Sequence, residues 1–370
     1  MEYRVDTAIV GAGPSGSACA ITLQKAGVPC LLIDKKSFPR SKTCGGGVTE
    51  KTYLLIKELL GERAEDVFCG ESGKVELYLK ERLAARADVG LKYRFVKREV
   101  FDKALVDEYE RLGGKLLDGA AVTKISRAEG RMTLSNGDAV YYSRLVCADG
   151  AKSALRSALG ANAPTEAFCV ECHVPYDSFD YGGEVRIFLG IPKKGYAWVF
   201  PSGDEVCIGL GGLAGRGDRF DEELKDFLKR LGVTGEYGIK GAFVPYGEPV
   251  DQTSLPENCV LVGDAAGFAD PLTGEGLYFA LASGIAAAEC AASRGGVFRD
   301  EYLGKTERLR KIISEGVKVQ SKLYLPGTLP LLRKIVSGRS GFVSFVFDEL
   351  VSTYNYSYSG LNRLREDYKK

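Results

Sequence analysis

The sequence predicts an α/β fold in two interleaved parts, a parallel sheet wound with helices and an antiparallel sheet inserted into it, with a helical C-terminal segment. Three observations carry that expectation. Short apolar runs at Ala8–Val10, Leu145–Ala148 and Val260–Val262 are too short for helices and read as buried strands, each leading into a glycine-bearing turn. The first is followed by helical spacing over Ser17–Ala26, stopped by Gly27. The stretch from Phe168 to Val244 is strand-rich with one helix, Asp221–Leu231, and it separates the second run from the third.

In chain order, Cys30–Ile33 is a further strand closed by Asp34, so the chain begins as strand, glycine-rich turn, helix, strand and acid. Ser41–Thr49 is a glycine-rich loop, Glu50–Leu60 a helix, and Val75–Leu79 alternates like a strand. Glu99–Leu112 carries Phe101, Leu105, Val106, Tyr109 and Leu112 at helical spacing before Gly113-Gly114. Val122–Val140 reads as a small antiparallel unit turning at Asn136-Gly137. Phe279–Ala292 is an alanine-rich helix, and the chain from Arg299 is mostly helical, interrupted at Pro326 and Pro330. Phe342–Leu350 with Tyr354, Tyr356 and Tyr358 is aromatic, suited to docking on its own domain, to the mouth of a pocket or to a membrane surface. The expected units are 1–70, 97–166 and 255–300 for the first domain, 71–96 and 167–254 for the inserted sheet, and 301–370 for the helical segment.

Composition narrows the function. A chain of 370 residues that is 45% hydrophobic has ample core and is not globally disordered. With 50 Lys+Arg against 49 Asp+Glu the net charge is +1, which argues against a nucleic-acid binder built on a broad basic surface. Ten cysteines without a signal-peptide pattern suit a reduced, cytoplasmic chain. Leu277–Ala292, the nearest thing to a membrane span, is broken by Ser283, Gly284 and Glu289 and reads as a buried helix. His173 is the only histidine, so multi-histidine metal sites are excluded. Cys169-Val-Glu-Cys172-His173 spells the haem c attachment pattern, but it lies on a strand with its cysteines on opposite faces, so no haem or other metal is expected.

Three segments carry chemistry. In Gly11-x-Gly13-Pro-Ser15-Gly16 the first glycine permits a tight turn, the second admits a pyrophosphate, and the third lets helix and strand pack closely. Asp34 then stands where an acid accepts from ribose hydroxyls. Gly263-Asp264 ends a strand and leads through Pro271, Gly274 and Gly276 to a helix opening at Leu277. Its carboxylate suits a polyol hydroxyl and its helix N-terminus suits an electron-rich ring edge, or the segment is simply an acidic loop. Cys147-Ala-Asp149-Gly150 runs on to Ser153 and Arg156, again from a strand end.

Together these resemble the three signatures of FAD enzymes with the para-hydroxybenzoate hydroxylase fold. The resemblance implies an FAD-binding Rossmann-like domain with an interleaved antiparallel-sheet substrate domain. It places Gly11, Gly13, Ser15, Gly16 and Asp34 at the adenosine and pyrophosphate, and Asp264, Gly276 and Leu277 at the ribitol and ring. Arg98 matches a cofactor contact, where the residues alone also allow a solvated charge, and Val122 matches a position whose backbone meets adenine.

Two further segments, Lys42-Thr-Cys44-Gly45-Gly-Gly47 and Tyr196-x-Trp198-x-Phe200-Pro201, look like those of the geranylgeranyl reductase family. The resemblance covers most of residues 1–300, with Asp34 where the family usually has Glu. It implies Cys44, Gly45 and Gly47 close to the flavin, and Tyr196, Trp198 and Phe200 lining an isoprenoid pocket. From the residues alone, three aromatics at alternate positions share one strand face, as a prenyl wall or as ordinary sheet packing. Cys44 is a redox, acid or steric group, or a small buried residue.

The implied activity is FAD-dependent saturation of carbon–carbon double bonds in a polyprenyl lipid by hydride transfer, with Cys44 or solvent as the proton source. No second nucleotide fingerprint is present, and Gly209-Leu-Gly-Gly212 is too short and wrongly placed for one, so electrons arrive from NAD(P)H or ferredoxin. A prenyl-lipid substrate implies peripheral contact at the inner membrane face. The rival activities are a flavin monooxygenase or halogenase, a flavoprotein passing electrons to a quinone, and a non-catalytic lipid carrier that keeps FAD.

Overall fold

A computed structural model describes residues 1–336 apart from 214, 216, 217 and 294, together with 341, 343, 344 and 347. Tyr354, Tyr356, Tyr358 and most of Phe342–Leu350 lie outside the described residues.

Among the described residues the first sheet has seven strands. Glu2–Val10 lies at its centre, parallel to Cys30–Ile33 on one side and to Ala139–Cys147 on the other. Lys115–Leu117 and Cys259–Leu261 add parallel strands. Arg131–Leu134 and Val122–Ser126 complete the sheet as antiparallel strands. Both faces of the central strands are buried, and strand alternation divides their side chains. Ile9, Leu32, Val146 and Val260 pack under the helices Pro14–Lys25, Arg98–Arg111 and Leu277–Ser293. Ala8, Val10, Leu31 and Leu145 face the other way, toward Met132, Tyr142 and Ile313 of the helix Glu307–Leu323. The first helix starts at Pro14, three residues before the apolar spacing, because a proline at the first helical position lacks only an N–H that would be unpaired anyway.

The second sheet has, among the described residues, eight strands, in the spatial order Lys240–Pro245, Glu166–Pro175, Glu205–Leu213, Gly195–Ser202, Val185–Leu189, Phe68–Leu79, Arg82–Val96 and Gly47–Val48. All pairs are antiparallel except Val185–Leu189 with Phe68–Leu79. The hairpin Phe68–Val96 is longer than the alternation at Val75–Leu79 suggests. Ahead of Phe95 and Val96 at its end, its return strand buries only small residues, Ala84, Ala85, Ala87 and Val89, between charged ones, so its apolar signal is weak. The helix Phe220–Arg230 covers one face of this sheet, with Phe220, Leu224 and Phe227 against Val170, Cys172, Val199, Ile208 and Leu210. The opposite face therefore carries residues 169, 171 and 173, 196, 198 and 200, and 207, 209 and 211.

Pro326 falls between the helices Glu307–Leu323 and Thr328–Val336, but Pro330 does not interrupt. It sits in the first turn of Thr328–Val336, where proline costs no intrahelical hydrogen bond. Asp149 accepts from the Ser153 hydroxyl and, at 3.1 Å, from the Leu155 N–H, while Ser153 Oγ accepts from the Arg156 N–H at 2.8 Å. Ser153→Ala removes this cap and is expected to cost about 1 kcal/mol, read as a lower urea midpoint with unchanged slope.

Candidate functional site

The glycine-rich turn follows directly from the first strand. Gly11 has φ +107°, and a Cβ there would lie 2.1 Å from the Ala148 carbonyl oxygen. A Cβ on Gly16 would lie 1.8 Å from the Gly11 oxygen, so turn and helix fit only without side chains. Gly13 is open: a Cβ there would meet only Arg40 Nη2, at 3.5 Å. No side chain caps the helix Pro14–Lys25, so its N-terminal N–H groups point outward over Gly13. Asp34 is buried at the end of the next strand and accepts from the Ala12 N–H at 2.7 Å and the Lys36 N–H at 2.8 Å. It braces the turn and retains lone pairs for a further donor. Val122 begins its strand, partly buried against the second core.

Arg98 is not a solvated surface charge. Its guanidinium makes two 2.8 Å hydrogen bonds to Asp102, which is fully buried, and Arg40 approaches the same carboxylate at 3.2 Å. Burial lowers the Arg98 pKa, but Asp102 and the neighbouring Cys44 thiol outweigh it and hold the group firmly charged. Asp102 and Arg40 were not legible as site residues, because only the fold joins the loop before Cys44 to the helix Arg98–Arg111.

Asp264 lies in the turn Gly263–Ala266 after the strand Cys259–Leu261, and its Oδ1 is 3.7 Å from the position of a Cβ on Gly276. Burial raises its pKa, while Lys42 and Arg98 pull it down. Leu277 is buried at the start of its helix, and buried Ser15 packs against Gly263. Arg156 ties the third motif to the second by donating to the Ala265 carbonyl at 3.1 Å. Glu275, between Gly274 and Gly276, pairs with buried Lys51 at 2.8 Å and accepts from Thr49 and Thr52.

The second sheet closes over these segments. Its register sets three rows across its inner face: Cys169, Gly211 and Tyr196; Glu171, Gly209 and Trp198; His173, Cys207 and Phe200. A Cβ on Gly209 would lie 2.3 Å from the Trp198 ring, so the glycine leaves space for the indole to lie across the sheet. Ring centres stand 5.8 Å apart from Tyr196 to Trp198 and 6.3 Å from Trp198 to Phe200. A Cβ on Gly45 would meet both the Phe200 ring and Trp198 Nε1 at 3.2 Å, which sets the triple-glycine loop against the aromatic face. Trp198 Nε1 is buried and has no hydrogen-bond partner. Tyr196 donates its hydroxyl to the Thr273 carbonyl, latching the sheet to the loop that leads to Gly276. Gly47 pairs with Phe95, so the same loop is also a strand of this sheet.

Sequence reasoning missed Glu171, whose only signal was its place inside the Cys-Val-Glu-Cys-His pattern. It is 4% exposed, and its carboxylate accepts from the Cys44 N–H at 2.7 Å. The structure thus brings Cys44, Gly45, Arg98, Asp264, Tyr196, Trp198, Phe200 and Glu171 around one region, between the glycine-rich turn and the aromatic face.

A family profile described as an FAD binding domain matches residues 4–181. The chain is 31% identical over 325 residues to menaquinone reductase of Mycobacterium tuberculosis, covering 80% of this chain and 78% of that one. It is 28% identical over 374 residues to digeranylgeranylglycerophospholipid reductase 1 of Methanosphaera stadtmanae, covering 95% and 89%. The fold matches the crystal structure of a geranylgeranyl bacteriochlorophyll reductase-like protein from Thermoplasma acidophilum with a TM-score of 0.82, at 20% identity, over 98% of this chain and all of that one. The chain belongs to the geranylgeranyl reductase family of FAD-dependent oxidoreductases. FAD is its cofactor. The residues fit such a group: the open Gly13, the uncapped helix N-terminus and the unpartnered Trp198 Nε1 are what an anionic dinucleotide with a polar ring would meet. In this reductase fold all ten cysteines are free thiols, and no helix among the described residues is long and apolar enough to cross a membrane.

Proposed function

We propose that this chain saturates carbon–carbon double bonds in a geranylgeranyl-type lipid. The observation that carries the reading is the meeting of the Tyr196, Trp198 and Phe200 face with the Cys44-Gly45 loop beside the nucleotide turn. Reduced FAD, when bound, supplies a hydride equivalent to the alkene. In this reading Gly11, Gly13, Ser15, Gly16 and Asp34 hold its adenosine and pyrophosphate end, and Val122 borders the adenine. Arg98, Asp264, Gly276 and Leu277 hold the ribitol and ring, with Cys44, Gly45 and Gly47 alongside. Trp198 and Phe200, in contact with that loop at Gly45, wall the prenyl pocket beside it and exclude water. Tyr196, committed to Thr273, holds the wall in place. An isolated trisubstituted alkene accepts hydride poorly, so proton transfer to its less substituted carbon leads and positive charge builds at the more substituted one. Aromatic faces stabilise such charge by roughly 0.5–2 kcal/mol each, which leaves positioning as the larger contribution.

The test is mass spectrometry of digeranylgeranylglycerophospholipid after incubation with the enzyme and dithionite. A gain of one H2 per double bond is expected; unchanged lipid under conditions that reduce the flavin removes the reading. A second reading, electron delivery to a quinone ring, draws on the similarity to menaquinone reductase. It predicts quinol formation with the side chain left unsaturated.

The electron donor in this reading is NAD(P)H or ferredoxin, docking transiently. Peripheral contact with a lipid bilayer draws support from Leu325, Leu331 and Ile335, exposed by 55%, 58% and 39%, close to the basic Arg333 and Lys334. Burying one leucine is worth about 1.5–3 kcal/mol. Leu331→Asp is therefore expected to weaken co-sedimentation with anionic vesicles roughly tenfold or more, with flavin content unchanged.

A further inference from the structure

We propose that Glu171 donates the proton of the reduction and that His173 refills it from solvent, the two forming a proton path along one face of the strand Glu166–Pro175. The inference rests on the reductase reading above and adds to it the source of the proton.

Each double bond consumed takes one hydride and one proton. The π bond breaks, two C–H bonds form, and the proton donor is left as its conjugate base. A prenyl chain filling the site displaces water, so the proton must come through the protein. Glu171 is placed for this. Its Oε1 accepts from the Cys44 N–H at 2.7 Å, and Cys207 Sγ lies 3.8 Å from its Oε2. Across the sheet only Gly209 separates it from Trp198, so no side chain stands between the carboxyl and the aromatic wall in that row. The groups facing it are Cys169 on its own strand, Cys207 on the next, Lys42 and Cys44 on the loop, and Arg98 on its helix. Burial raises the Glu171 pKa against the Cys44 N–H, Lys42, Cys207 and Arg98, which favours a carboxyl that still carries its proton.

His173 is the next residue on the same face, and its side chain is 36% exposed. Its Nδ1 is buried without a hydrogen-bond partner and lies 3.7 Å from Glu205 Oε2 at the surface. Burial lowers its pKa; Glu205 and Glu99 oppose this, and Lys97 and Lys240 reinforce it. A neutral imidazole between a buried carboxyl and solvent takes a proton from one side and passes it to the other. Glu171, His173 and Cys207 each bring one potential ligand atom within 4.8 Å of the others. The trio does not read as a metal centre. A thiol ligand must be ionised, whereas burial pushes Cys207 well above its ordinary range, and the Glu171 oxygens already face Cys44 and Cys207.

The experiment compares the FAD-loaded wild type with Glu171→Gln, Glu171→Asp and His173→Gln. Each is reduced anaerobically and mixed with digeranylgeranylglycerophospholipid in micelles, and flavin reoxidation is followed against pH. Glutamine still accepts from the Cys44 N–H, so FAD content and reduction by dithionite should match the wild type. Reoxidation by lipid should fall roughly 100-fold or more and lose its alkaline decline, Glu171→Asp should recover part of the rate, and His173→Gln should leave this first turnover near the wild-type rate but slow the later turnovers under excess dithionite, an unslowed later rate overturning the role of His173. Wild-type rate and pH profile in Glu171→Gln overturn the proposal and leave the reductase reading standing. Failure of the wild type itself to reoxidise with lipid overturns that reading and this proposal with it. Difference infrared spectra provide a readout that needs no substrate: a protonated carboxyl band at neutral pH present in the wild type and absent from Glu171→Gln is expected. Its absence from both, or a stoichiometric metal lost in Glu171→Gln, also overturns the proposal.

Discussion

Gly11→Val is expected to purify without bound flavin and to melt well below the wild type. At φ +107° a β-branched residue is strained by about 1–3 kcal/mol before any contact is considered. The added Cβ would then lie 2.1 Å from the Ala148 oxygen and 2.5 Å from its carbonyl carbon. Both are backbone atoms at the end of a paired strand, and neither can swing aside as a side chain would. Relief requires parting Glu2–Val10 from Ala139–Cys147, the pairing that sets the height of the glycine-rich turn. Gly27→Ala is the control. Gly27 also has a positive φ, +70°, but an added Cβ there meets nothing within 4 Å. It should cost about 1–2 kcal/mol and keep the flavin. Absorbance of the purified proteins and thermal melts separate the two outcomes.

Trp198→Ala is expected to keep FAD yet lose on the order of 100-fold in lipid-driven flavin reoxidation. Trp198 is 6% exposed and spans the gap over Gly209, so truncation opens a hole that glycine cannot fill. The stability cost should be about 3–5 kcal/mol, so rates must be compared well below the melting temperature. The larger effect is on the substrate. Without the indole, Tyr196 and Phe200 no longer form a continuous surface, and a flexible chain can drift by an ångström or more from the reacting geometry. Trp198→Phe should restore most of the rate, since it restores an aromatic face although not the N–H.

Much of this was legible in the sequence because it was local. The strand, turn and helix around Gly11–Gly16 and the acid Asp34 lie within one short stretch, and so do the aromatics at 196, 198 and 200. What escaped depends on contacts between distant segments. Arg98 looks like a surface charge until the fold buries Asp102 beneath it and brings Arg40 alongside. Glu171 looks like a spacer between cysteines until antiparallel pairing with Glu205–Leu213 puts Gly209 opposite it and Trp198 beyond. The long return strand Arg82–Val96 escaped because, ahead of Phe95 and Val96 at its end, it buries only three alanines and Val89 among charged residues. Pro330 misled because its effect depends on where in a helix it falls, and here it falls in the first turn.

The most direct test of the central claim, that the aromatic face and the flavin share one reaction site, is an anaerobic single turnover. Enzyme reduced with one equivalent of dithionite is mixed with digeranylgeranylglycerophospholipid, and the oxidised flavin band is followed while the lipid is sampled. Oxidised flavin should return in step with the loss of one double bond per flavin, quickly in the wild type and far more slowly in Trp198→Ala. A flavin that stays reduced until oxygen is admitted, with every double bond intact, would contradict the account.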